Sequence, residues 1–179
     1  MEVERLPLFG LKLIKPNVYT DERGFFLETY NDARYWDKEI YSDPFVQDNH
    51  SRSIKNVVRG LHYQANQAKL IRCTNGIVYD VVVDIRKDSP TFGQHYGIYL
   101  YSSDCWQLYI PSGMAHAFIT LSDTADFEYK VTNYYDPKTQ GSIVWNDIDL
   151  NIQWPGIENY ILSDKDKLAQ SFQEYKDKL

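Results

Sequence analysis

The chain is short of sulfur, with two cysteines and two methionines among 179 residues. Cys73 and Cys105 sit among strand-like residues and are too few for a disulfide framework, which points to structural free thiols in a reducing compartment. No stretch approaches the roughly 20 apolar residues of a membrane span, and residues 1–10 carry acids and lack the apolar run of a secretory leader. Positive charge is also in deficit: 19 Lys and Arg against 25 Asp and Glu leave a net charge of −6, with a pI near 5.2. That balance excludes a general nucleic-acid or membrane surface and still allows a small anion in a local basic pocket. Internal repeats, low-complexity segments and linkers are missing too. The expectation is a single cytoplasmic domain over residues 1–179, large enough for a core without staples or metal.

Tyrosine is abundant, with 15 copies, a residue that suits half-buried pleated surfaces and can stack on flat ligands. Strand signals recur at 11–14, 25–30, 57–64, 70–74, 77–85, 96–100, 107–110, 117–121 and 127–134, separated by Gly, Asn, Asp, Ser or Pro. Many short strands without strand-helix repeats point to a mainly β, antiparallel sandwich or barrel with a few short helices. Asn31 can cap a helix in which Ala33, Trp36 and Ile40 recur at helical spacing and cover the sheet. The polar run from Phe45 to Ser51 reads as a strand end or solvated turn. Leu168, Phe172 and Tyr175 predict one C-terminal helix over about residues 165–179, lying on the outside.

One stretch could carry chemistry: Val57-Val58-Arg59-Gly60-Leu61-His62-Tyr63-Gln64. Strict alternation would put Val58, Gly60, His62 and Gln64 on one face and Arg59, Leu61 and Tyr63 on the other, the glycine leaving room around the imidazole. A lone strand histidine is more often satisfied in a core than catalytic. Further on, Asp80 and Asp84 share a face with Val82, opposite Val81, Val83 and Ile85. Two carboxylates on so apolar a strand need partners, a polar cavity or a wet face.

Pro111-Ser112-Gly113-Met114-Ala115-His116 resembles the second cupin motif, which starts a strand with a histidine facing into a jelly-roll barrel. The first motif of metal-bearing cupins supplies a His-x-His pair, whereas here Tyr63 and Gln64 follow His62, so a metal site lacks its ligands. A wider set of motifs is specific. Asp21-Glu22-Arg23-Gly24-Phe25-Phe26, Gln47-Asp48-Asn49-His50-Ser51, Arg59-Gly60-Leu61-His62-Tyr63-Gln64, Asp84-Ile85-Arg86, Tyr129-Lys130, Tyr134-Tyr135 and Leu162-Ser163-Asp164-Lys165-Asp166 closely resemble the dTDP-4-dehydrorhamnose 3,5-epimerases. The match runs in order from about Leu11 to Asp166.

The resemblance implies a cupin-type antiparallel jelly roll that epimerises both carbons flanking the ketone of a dTDP-linked 4-keto-6-deoxyhexose, with no cofactor and no metal. Each carbon needs a base on one face, an acid on the other and a donor at the ketone oxygen. By resemblance His62 is the base and Asp166 its partner, Tyr129 the acid, and Lys69 the cation near the enolate. Arg23 and Arg59 match diphosphate positions, Tyr135 the aromatic that stacks on thymine, and Glu28, Gln47, Asp48, Asn49, His116 and Lys165 other substrate contacts. The family also implies a homodimer in which N-terminal residues of one subunit reach the other's pocket. This chain departs in having Gln140 where a glutamate is frequent and Ala117 where glycine is usual. Read without the resemblance, Tyr129 is a strand tyrosine, Lys69 and Asp166 are loop charges, and most of the nucleotide set are polar residues on the surface. Three other functions stay open: an epimerase confined to C3 or to another nucleotide sugar, a non-catalytic sugar-nucleotide binder, and a metal-dependent cupin.

Overall fold

The computed structural model describes residues 1–41, 43–156 and 158–179. Thirteen strands and three short α-helices occur among them. The strands are β1 (Glu2–Arg5), β2 (Lys12–Lys15), β3 (Val18–Asp21), β4 (Gly24–Leu27), β5 (Gln47–Ile54), β6 (Val58–Gln64), β7 (Lys69–Asn75), β8 (Ile77–Asp84), β9 (His95–Tyr101), β10 (Gln107–Ile110), β11 (Met114–Thr120), β12 (Thr124–Val131) and β13 (Gln140–Ser142). The helices are α1 (Asp32–Asp37), α2 (Asp164–Lys167) and α3 (Phe172–Lys176). One sheet has the order β1-β2-β10-β7-β12-β5, the other β13-β6-β11-β8-β9, and β3-β4 form a separate hairpin. Non-consecutive neighbours and antiparallel ladders make this the expected jelly roll.

Alternation along the strands creates three apolar layers. Between the sheets, Leu13, Ile71, Leu108 and Phe127 from the six-stranded sheet meet Val78, Val82, Leu100 and Phe118 from the five-stranded one. Each such side chain, once buried, contributes about 1.5–3 kcal/mol. The far face of the five-stranded sheet presents Leu61, Val81, Val83, Ala115 and Ala117 to Ile143, Leu150 and Phe172. Behind the six-stranded sheet, Ile14, Leu70 and Tyr109 pack against Tyr35, Ile40 and Tyr41.

Two helical expectations need correction. α1 is capped by Asn31 as expected, its side chain accepting from the Arg34 amide at 3.2 Å. However, Trp36 is 59% exposed and Tyr35 is the buried ring. The helix stops at Asp37, so Ile40 reaches the core through a turn, and Tyr35 is held by its hydroxyl donating to Gln107 Oε1 at 2.6 Å. The C-terminal segment is not one helix. Ser163 caps α2, and Ser171 with Glu174 forms a capping box that starts α3. Between them Gln170 pairs with Ile143 in a β-bridge, and Leu168, an expected core contact, is exposed. The polar run before Ser51 belongs to β5, with Gln47, Asn49 and Ser51 facing inward and Asp48, His50 and Arg52 outward.

Candidate active site

At one end of the inter-sheet layer the apolar filling gives way to polar side chains around two adjoining cavities. One, of about 240 Å³, is lined by Ser51, Arg59, His62, Lys69, His116, Phe118, Phe127 and Tyr129. The other, of about 250 Å³, shares His62, Lys69 and Tyr129 and adds Gln47, Asn49, Gln64, Tyr135 and Gln140. His62 comes from β6 of the five-stranded sheet, whereas Tyr129 and Lys69 come from β12 and β7 of the six-stranded sheet. The two sheets therefore face each other across the space with different chemistry.

Strict alternation fails on β6, and the failure builds the site. Cross-strand partners are His62 with His116 and Arg59 with Phe118, so Gly60 and Leu61 together oppose Ala117 alone. This bulge shifts the alternation by one and brings Arg59 to the side of His62. Gly60 is required by the backbone: its φ is +130°, and an added Cβ would lie 2.3 Å from Ala117 Cβ and 2.5 Å from the His116 carbonyl oxygen. Its role is close strand approach, which replaces the expectation that it makes room for the imidazole.

His62 Nε2 lies 2.5 Å from Asp166 Oδ1, and Asp166 is 2% exposed in the first turn of α2. Burial works against the Asp166 carboxylate, but the hydrogen bonds and charge of His62, with Ser163 and the Gly60 backbone, hold its pKa below the ordinary value. An ionised Asp166 fixes a proton on the facing ring nitrogen and leaves the other nitrogen free to act as a base.

Across the cavity, burial pushes the Tyr129 phenol up while the Arg59 guanidinium pulls it down. Lys69 is 9% exposed; burial lowers its pKa to about 8 and Asp80 opposes the fall. His116 Nε2 is 2.7 Å from Asp80 Oδ2, and both groups are buried. Burial drives each toward its neutral form, the histidine down and the carboxyl up, against their mutual attraction. Of the partners, polar cavity or wet face that the spacing of Asp80 allows, the structure shows a partner, His116, which itself lines the cavity.

The cavities thus gather His62, Lys69, Tyr129, Arg59, His116, Gln47, Asn49 and Tyr135, with Asp166 behind the histidine. Lys165 stands at the rim, its Nζ donating to Gln140 Oε1 at 2.7 Å. Asp48 points to the outer face and pairs with Lys130 at 2.8 Å. Arg23, on the β3-β4 hairpin, is 85% exposed and pairs with Asp21, and Glu28 pairs with Arg34, so neither reaches the cavities within this chain. Gln64, not among the expected site residues, also lines the second cavity; its sequence signal is its place two residues beyond His62. Among the described residues no three His, Cys, Asp or Glu side chains converge as a metal site.

The profile of the dTDP-4-dehydrorhamnose 3,5-epimerase family matches residues 5–174. The chain is 52% identical over 160 residues to the dTDP-4-dehydrorhamnose 3,5-epimerase of Salmonella typhimurium, covering 88% of this chain and 87% of that protein. Among solved structures it superposes with TM-score 0.93 and 46% identity on the dTDP-6-deoxy-D-glucose-3,5-epimerase of Legionella pneumophila bound to dTDP-4-keto-L-rhamnose, covering 96% and 93% of the two chains. A further likeness, with TM-score 0.91, 30% identity and coverage of 96% and 88%, is to a 3'-monoepimerase of Streptomyces bikiniensis in complex with dTDP-quinovose. The chain belongs to the dTDP-4-dehydrorhamnose 3,5-epimerase family.

Proposed function

We propose that the protein is a dTDP-4-dehydrorhamnose 3,5-epimerase that converts dTDP-4-dehydro-6-deoxy-D-glucose to dTDP-4-dehydro-L-rhamnose with its own side chains and no metal or cofactor. The observation that carries this reading is the origin of His62 and Tyr129 on opposite sheets of one cavity. His62 removes the proton at C3 or C5, and the electron pair of the broken C–H bond moves through the carbonyl to give an enolate. The Lys69 ammonium stabilises the oxygen charge, and Asp166 stabilises the imidazolium that forms. Tyr129 then gives its proton to the same carbon from the other side, inverting it, and the resulting phenolate lies near the Arg59 cation. Solvent exchange restores the phenol and the imidazole.

The nucleotide half rests on Tyr135 as a stacking surface for thymine and on Arg59 as a diphosphate donor, since guanidinium matches phosphate oxygens in pairs. Gln47, Asn49, His116 and Lys165 complete the contacts. The proposal includes a homodimer. Phe25 and Phe26 on the β3-β4 hairpin are 64% and 72% exposed beside Arg23, a surface suited to a second copy, whose pocket would receive Arg23 and Glu28. A cytoplasmic location fits the free thiols of Cys73 and Cys105.

Proton NMR of the nucleotide sugar with chelator-treated protein in D2O tests the reading. Deuterium at C3 and C5 with formation of the L-lyxo product is expected. Deuterium at C3 alone would replace it with the monoepimerase reading, which the likeness to the Streptomyces bikiniensis enzyme favours as runner-up. Binding without exchange at either carbon would leave a sugar-nucleotide binder.

A further inference from the structure

Two glutamines on neighbouring strands grip the aromatic side of the cavity. Gln64 on β6 and Gln140 on β13 are cross-strand partners, and neither takes part in the proton transfers. Gln64 is buried; its Nε2 donates to the Tyr134 carbonyl at 2.9 Å and its Oε1 accepts from the Asp136 backbone N–H at 3.2 Å. It thereby ties down the backbone on both sides of Tyr135, and its two partners fix which way the amide points. Gln140 acts at the ring end. Its Oε1 accepts from the Tyr135 hydroxyl at 3.1 Å and from Lys165 Nζ at 2.7 Å. An ammonium only donates, so the gripping atom is the oxygen.

The neighbouring ring shows that this restraint is selective. Tyr134, 70% exposed, has no side-chain partner among the described residues and is tied only through its carbonyl, whereas Tyr135, 58% exposed, is held by its hydroxyl with the backbone tied on either side of it. Behind it, Gln67 Nε2 donates to the Asn133 carbonyl at 2.7 Å and the Ala68 amide to Thr132 Oγ1 at 2.9 Å, fastening the base of the same loop. Lys165 directly precedes Asp166 on α2.

We infer that Gln64 and Gln140 are positioning residues that hold Tyr135 in place before the nucleotide arrives, and that Gln140 links this platform through Lys165 to the helix carrying Asp166. The inference rests on the reading of Tyr135 as the surface for the base. A free ring and loop must be ordered at the moment of binding, which weakens affinity; a ring already gripped avoids that loss.

The test compares dTDP affinity by calorimetry and steady-state epimerisation in wild type, Tyr135→Ala, Gln140→Met, Gln140→Glu, Gln64→Met and the Tyr135→Ala/Gln140→Met double variant. Gln140→Met should raise Kd and KM by about tenfold, the scale of one lost hydrogen bond, with kcat changing far less. Gln140→Glu should stay within about threefold of wild type, because both bonds run to an oxygen that a carboxylate also supplies. The double variant should bind no more weakly than Tyr135→Ala alone, since a missing ring cannot be misplaced. Gln64→Met should weaken binding at least as much, with thermal unfolding measured alongside to separate loss of fold. Additive losses in the double variant, or a fall in kcat at unchanged KM, would overturn the inference. If Tyr135→Ala weakens dTDP but both methionine variants bind normally, the positioning role fails and the platform reading stands. If Tyr135→Ala leaves dTDP affinity unchanged, the platform reading fails and the inference with it.

Discussion

Strand β8 carries two aspartates four residues apart, both pointing between the sheets and both 0% exposed, yet they behave in opposite ways. Asp84 lies in a closed corner. It accepts from Arg86 Nε at 2.9 Å and Nη2 at 2.6 Å, from Ser89 Oγ at 2.5 Å and from Thr91 Oγ1 at 2.6 Å. Burial raises its pKa, but these donors outweigh burial and take it down to about 2. Asp80 lies next to the cavity walls formed by Lys69 and His116. It has His116 on one oxygen and no hydrogen-bond partner on the other among the described residues, so burial prevails and its pKa rises. The donors around a carboxylate, set against its burial, decide which way its pKa moves. Asp84 ties together Arg86, Ser89 and Thr91; Asp80 pairs with His116 beside Lys69.

That division can be broken by substitutions that separate activity from stability. The largest effect belongs to the cavity end: His62→Asn should cut solvent-deuterium exchange at both carbons by about 1,000-fold or more while dTDP affinity stays close to wild type. Retained exchange would remove His62 from the role of base. At the corner end, Asp84→Ala leaves the Arg86 guanidinium without its carboxylate partner and should destabilise by about 3 kcal/mol in urea unfolding, with the folded fraction still active. Equal stability would show that the corner is not an anchor.

Acid sharpens the same contrast. Because the folded pKa of Asp84 is about 2, below the unfolded value of about 3.9, its contribution is complete above about pH 4 and fades as pH falls toward 2, by roughly 2 kcal/mol. Asp84→Asn should flatten that part of the stability curve. The smallest shift is kinetic: the Lys69 ammonium is lost as pH rises through about 8, so turnover should decline on that limb. Asp80→Asn removes the charge that supports the ammonium and should move the limb to lower pH, with less change in melting temperature than Asp84→Ala. An unmoved limb would disconnect Asp80 from Lys69.

Much of this was legible in the sequence because jelly-roll strands advertise themselves by alternation, and β10 falls at its expected bounds of Gln107–Ile110. The pairing of Asp80 and Asp84 on one face was also readable from spacing. What alternation could not supply is the bulge at Gly60 and Leu61, which depends on the register against β11 and moves Arg59 to the side of His62. Nor could helical spacing reveal that Ser171 restarts the chain as a second short helix. Asp166 meets His62 across 104 residues, a contact that local pattern does not contain. Arg23, Glu28 and Asp48 are expected substrate contacts by resemblance alone, and this chain by itself does not bring them to the cavity.

In the proposed mechanism, proton removal and proton return occur from opposite sheets. The most direct measurement is the stereochemical fate of deuterium when Tyr129→Phe protein acts on dTDP-4-dehydro-6-deoxy-D-glucose in D2O, followed by proton NMR. The expected result is deuterium incorporated by His62 with the original configuration kept at one or both carbons. Full inversion at C3 and C5 at a wild-type rate would contradict that mechanism and place the acid elsewhere.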